Sequence, residues 1–115
     1  MIGKWHLGSD PTGFDRWLVL PGQGSYWDPV FLVAGHKLTI EGHCTDITTD
    51  LSLEFLKTRP QDKPFFFKLH NKALHRNWAP ATRHIGMFKD TDIPEPDTLW
   101  DTYGTRPAAL PDNRP

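Results

Sequence analysis

A helical repeat followed closely by an unbroken aromatic run sets the architecture. Ile47, Leu51 and Phe55 recur every fourth residue, with Leu56 beside them, and give a helix at about Thr45–Thr58 one apolar stripe to bury. Thr45 or Asp46 can accept from the unpaired N–H groups at its start. Asp46 and Asp50 fall where the helix dipole favours anions. Lys57 and Arg59 lie at the other end, and Pro60 stops the helix. Lys63-Pro64 then leads into Phe65-Phe66-Phe67-Lys68-Leu69. A continuous apolar run bounded by proline predicts a strand covered on both faces. Helix, short loop and buried strand together are the grammar of an α/β sheet. Such a strand needs neighbours on both sides, so the pattern predicts a partial sheet completed by partners outside this chain.

The remaining elements are short. Ile2–Trp5 reads as the end of a strand, followed by a long loop. Arg16–Leu20 reads as a short strand closed by Pro21-Gly22. Val30–Val33 and Lys37–Ile40 flank Ala34-Gly35-His36, the pattern of a hairpin. Asn71–Arg83 should be a loop leaving the aromatic strand, Thr82–Phe88 a helical turn or two, and the proline-punctuated stretch from Thr91 an extended, irregular tail.

Composition narrows the function classes. The 115 residues suit one domain, and 11 prolines with 9 glycines imply much turn and loop. Thirteen basic residues against fourteen acidic ones create no field that would draw nucleic acid or a membrane surface. No stretch approaches the roughly 20 apolar residues of a membrane span, and no apolar signal-peptide core follows Met1. Cys44 is the sole cysteine, so no internal disulfide can form.

Two clusters carry chemistry: Gly3-Lys4-Trp5-His6-Leu7-Gly8, and His70-Asn71-Lys72-Ala73-Leu74-His75-Arg76-Asn77-Trp78. Each follows a β-like stretch, and ligands of open α/β sheets bind at the carboxyl ends of strands. In an extended segment Lys4 and His6 point the same way. A cationic lysine beside a donor histidine suits the oxygens of a sulfate or phosphate, and His75 adds a donor or a proton for a leaving alkoxide. The spacing of His70 and His75 is not that of a helical zinc pair, and no glutamate adjoins either. Cys44 reads as structural, although the start of a helix would favour its thiolate. Lys72, Arg76 and Arg83 read as a solvated basic edge. Trp17, Trp27 and Trp78 suit either packing or stacking on sugar rings.

Taken together, Gly3–Gly8, the helix entered through Cys44-Thr45-Asp46, and Lys63-Pro64-Phe65-Phe66-Phe67 leading to His70–Pro80 resemble type I sulfatases of the alkaline phosphatase superfamily, bacterial glycan sulfatases most of all. The match runs over roughly residues 1–110 in family order. It implies an α/β fold, here a slice of the alkaline-phosphatase-like sheet. Residues 1–115 would form part of a sulfatase catalytic domain. The function implied is hydrolysis of sulfate esters, of sulfated small molecules or glycans. Lys4 matches the family lysine that contacts sulfate, His6 the histidine that supports the formylglycine nucleophile, and His75 the histidine that binds the sulfate ester and protonates the leaving group. Calcium and formylglycine belong to the parent family, which is often periplasmic or secreted. Neither the Cys/Ser-x-Pro-x-Arg nucleophile motif nor the Asp and Asn metal ligands occur here. The resemblance therefore implies an internal fragment, inactive alone, that needs the rest of the parent chain. Leu74 stands where the family has proline, which loosens the backbone before His75, and Asn71 where it commonly has histidine. A phosphodiesterase or phosphonate hydrolase of the same superfamily, and a non-catalytic anion- or glycan-binding remnant, are the alternatives.

Overall fold

The computed structural model describes residues 1–100, and the chain divides into two units, Met1–Ile85 and Gly86–Pro115. The first unit is a five-stranded mixed sheet with one long helix. Its strands are β1 (Ile2–Trp5), β2 (Leu18–Pro21), β3 (Val30–Val33), β4 (His36–Thr39) and β5 (Leu69–His70), with α1 (Cys44–Thr58) between β4 and β5. Spatial order is β4-β3-β2-β1-β5. β1 runs parallel to both β2 and β5, while β2-β3 and β3-β4 are antiparallel. Among the described residues, the mixed α/β class, the long helix and the small hairpin follow the sequence pattern. The hairpin turns at Ala34 and Gly35, both with positive φ, the geometry that two-residue hairpin loops need. In the second unit the described residues form turns at 86–90 and 97–100 with irregular chain between them, and Met87, Phe88, Ile93 and Trp100 are exposed. The tail beyond residue 100 lies outside the described residues.

Three expectations are corrected. The buried strand of the sheet is β2, with Val19 and Leu20 at most 1% exposed, and not Phe65–Leu69. The reason is pairing. Ile2 is level with Leu69, so only Leu69 and His70 meet β1 while the phenylalanines run past its first residue. Phe66 is 77% exposed and Phe65 49%, and the aromatic run lies along α1 instead, Phe67 stacking on Phe55 at 4.9 Å. Second, His43 is the helix N-cap residue, without a side-chain capping bond, in place of Thr45 or Asp46. Third, the face of α1 that is most deeply buried is Cys44, Thr48 and Ser52. Ile47, Leu51 and Phe55 are half-buried, and Leu56 is exposed. Small residues let the helix approach closely. The hydroxyls of Thr48 and Ser52 satisfy themselves on the carbonyls of Cys44 and Thr48, so they enter the interior without an unpaired donor. Leu20, Phe31 and Cys44 form the centre of the core, with Leu18, Ile40 and Ile47 around them.

Candidate functional site

Parallel pairing brings three strand ends to one edge. Gly3 is level with His70 on one side of β1, and Trp5 with Pro21 on the other. The chain therefore leaves β1, β2 and β5 at the same carboxyl edge, where open α/β sheets bind ligands. The His70 ring ties two of these ends together, its Nδ1 N–H donating to the carbonyl of Lys4 at 3.2 Å.

Lys4 and the His75 segment are linked through the loop after β2. The Lys4 ammonium donates to the side-chain oxygen of Gln23 at 2.7 Å, and the Lys72 ammonium donates to the main-chain carbonyl of the same Gln23 at 2.9 Å. Lys72 lies 4.6 Å from the centre of the Tyr26 ring, close enough for cation–π attraction. The Tyr26 hydroxyl in turn donates to the carbonyl of His75 at 2.6 Å. The His75 ring is half-exposed and its Nδ1 N–H donates locally to the carbonyl of Arg76 at 3.3 Å. His6 is exposed just beyond β1, which ends at Trp5, so strand alternation carries Lys4 but stops short of His6.

The expected basic edge is only partly so. Arg76 is exposed, but Lys72 is 5% exposed. Arg83 grips the Asp46 carboxylate with both nitrogens, which holds that carboxyl below its ordinary range. An ion pair this exposed contributes little to stability. Gln23, Tyr26 and the buried role of Lys72 had no sequence signal. Each depends on a loop 44 or more residues from the His70–His75 segment that it touches. Trp78 is 70% exposed and open to stacking, whereas Trp27 meets the ring of His43 edge-on at 5.1 Å.

Cys44 is fully buried, and burial pushes its thiol up, with nearby Lys72 pulling the other way. The helix start does not make it a nucleophile. Native protein is expected to react with a soluble thiol reagent about a hundredfold more slowly than protein in denaturant, because only opening exposes the sulfur. Equal rates in the two conditions would contradict this packing.

Among the described residues, neither group implied by the family resemblance finds a fitting site. Among the described residues, no three His, Cys, Asp or Glu side chains gather into a metal site. Cys44 is followed by Thr45-Asp46-Ile47, outside any formylglycine motif, and is sealed in the core. Among the same residues, no helix is long and apolar enough to cross a membrane.

No family model matches the sequence. Relatives and a solved structure do, and with the edge described above they define the class: the chain belongs to the sulfatases. It is 50% identical to N-acetylglucosamine-6-O-sulfatase of Bacteroides thetaiotaomicron over 92% of this chain and 20% of that protein. N-acetylglucosamine-6-sulfatase of Capra hircus is 27% identical over 76% of this chain and 17% of its own length. A solved structure of a protein in complex with its substrate, D-glucosamine-2-N,6-O-disulfate, superposes with a TM-score of 0.81 at 50% identity. It covers 92% of this chain and 22% of that one. The chain thus spans about a fifth of the sulfatases it matches.

Proposed function

We propose that residues 1–115 are part of the catalytic domain of a sulfuric ester hydrolase whose parent removes sulfate from an amino-sugar glycan. Lys4 and His75 hold the sulfate oxygens and His6 adds a second donor beside Lys4; as the S–O bond breaks, His75 gives its proton to the sugar oxygen and the sulfuryl group passes to a nucleophile carried elsewhere in the parent. The observation that carries this reading is the parallel register of β1 and β5, which ends both motif-bearing segments at one sheet edge. The substrate named for the solved relative, a sulfated glucosamine, supplies the ligand class. Donors preorganised around a tetrahedral anion stabilise the charge that builds on it during ester cleavage. Formylglycine and calcium are what the family resemblance implies for the parent.

The test is a titration of the isotope-labelled chain with D-glucosamine-6-sulfate, using unsulfated glucosamine as control. Resonances of Lys4, His6 and His75 are expected to move with the sulfated sugar alone. Lys4→Ala is expected to weaken binding about tenfold, the loss of one charge-assisted hydrogen bond. Sugar-induced shifts that are unaltered in Lys4→Ala would sink the reading. The chain is expected to show no turnover of an aryl sulfate, because its sequence holds no nucleophile motif.

A further inference from the structure

One short loop touches every element that presents Lys4 and His75. Gln23 takes the Lys4 ammonium on its side chain and the Lys72 ammonium on its backbone. Tyr26, three residues on, lies against Lys72 and donates its hydroxyl to the backbone of His75. Lys72 is buried where it enters this arrangement, and Tyr26 is 6% exposed, whereas Gln23 lies at the surface. A buried ammonium loses its water, so it is held only where strong acceptors replace that water. Here these are a carbonyl and an aromatic face, both supplied by the Gln23–Tyr26 loop. Lysine fits better than arginine, because a compact ammonium can meet one carbonyl and one ring at once. The loop is thus joined by directional contacts to β1 through Lys4 and to the segment after β5 through Lys72 and His75.

We propose that Gln23, Tyr26 and Lys72 are positioning residues that set the separation and orientation of Lys4 and His75, without themselves touching the bound anion. This rests on the sulfate-binding reading above. Gln23 orients the Lys4 ammonium with an uncharged acceptor, which restrains the side chain without neutralising it. Lys72 anchors the loop from beneath, and Tyr26 carries the constraint to the His75 backbone. The Tyr26 bond supplies a restraint on His75 from outside its own backbone.

The experiment has an arm without ligand and an arm with inorganic sulfate, on the whole 115-residue chain. Without ligand, 13C relaxation of the Lys4 ε-methylene is expected to show faster motion in Gln23→Ala than in the natural chain. The His75 amide resonance is expected to shift in Tyr26→Phe. Both variants should keep their melting temperature within a few degrees, since Gln23 is exposed and Tyr26→Phe removes one oxygen. With sulfate, each variant is expected to bind about fivefold more weakly, the weight of one hydrogen bond. The effects must be non-additive. Gln23→Ala should cost nothing further in a Lys4→Ala background, and Tyr26→Phe nothing further in His75→Ala. Lys72→Met should weaken sulfate binding and Lys72→Arg should not restore it. If Lys72→Met fails to fold, the two milder variants still decide the matter. Additive losses in the double variants, or unchanged Lys4 motion and an unmoved His75 amide, would overturn the positioning frame. Absence of any Lys4-dependent sulfate binding by the natural chain would overturn the anion-site reading. The frame would then stand or fall on the ligand-free arm alone.

Discussion

Gly3→Ala is expected to abolish the cooperative unfolding transition of the chain. A Cβ at this position would lie 1.9 Å from the carbonyl oxygen of His70, and the backbone φ of +109° is one that side-chain-bearing residues rarely adopt. The obstacle is backbone, so no rotamer change relieves it. The conformation alone costs about 1–3 kcal/mol. Avoiding the contact means separating β5 from β1, which lose the pairing of Ile2 with Leu69 and Gly3 with His70. The combined loss, roughly 4 kcal/mol or more, rivals the whole stability of a small domain. Gly8 is the control. A Cβ there meets nothing within 4 Å, so Gly8→Ala is expected to be nearly neutral. Thermal melts by circular dichroism compare them, and a Gly3→Ala melting temperature within a few degrees of the natural chain would refute the β1–β5 seam. The same seam carries Lys4 and His70 to one edge, so its loss removes the candidate site with the fold.

Phe31→Ala should cost about 3–5 kcal/mol, the range for emptying a buried phenylalanine site. Phe31 is fully buried against Leu20 and Cys44 at the centre of the core. Its hairpin partner Leu38 is 44% exposed, so Leu38→Ala should cost under about 1 kcal/mol. The pair sits in one register of one hairpin, and hydrophobicity differs little between them, so the contrast isolates burial. Urea unfolding monitored by tryptophan fluorescence is expected to give a lower midpoint for Phe31→Ala, with the pre-transition baseline shortened or lost. Equal midpoints for the two variants would mean that the sheet buries a different set of side chains.

Much of the local structure was legible in the chain. The periodicity from Ile47 to Phe55 and the stop at Pro60 place a helix that forms over Cys44–Thr58. Alternating β-formers around Ala34-Gly35 place the hairpin. These signals are local: hydrogen bonds four residues apart, a turn needing positive φ, a proline that cannot continue a helix. Burial was less legible. Phe65-Phe66-Phe67 has the composition of an interior strand, yet composition reports only what a side chain would gain by leaving water. Whether it leaves depends on which strands pair with it, and here pairing reaches only Leu69 and His70. The same gap hid the Cys44-Thr48-Ser52 face of α1, whose small size matters only once a sheet approaches it.

Residue order alone marked Lys4, His6 and His75 as chemically apt and assigned the α/β class, because residue types and short-range spacing carry that information. Which of these three are linked, and by what, came from long-range contacts. Gln23 and Tyr26 lie 49 residues from Lys72 and His75, respectively, and no local propensity encodes a hydrogen bond across such a loop. Partnership between distant polar groups is settled by strand register and packing, which exist only when the chain has folded.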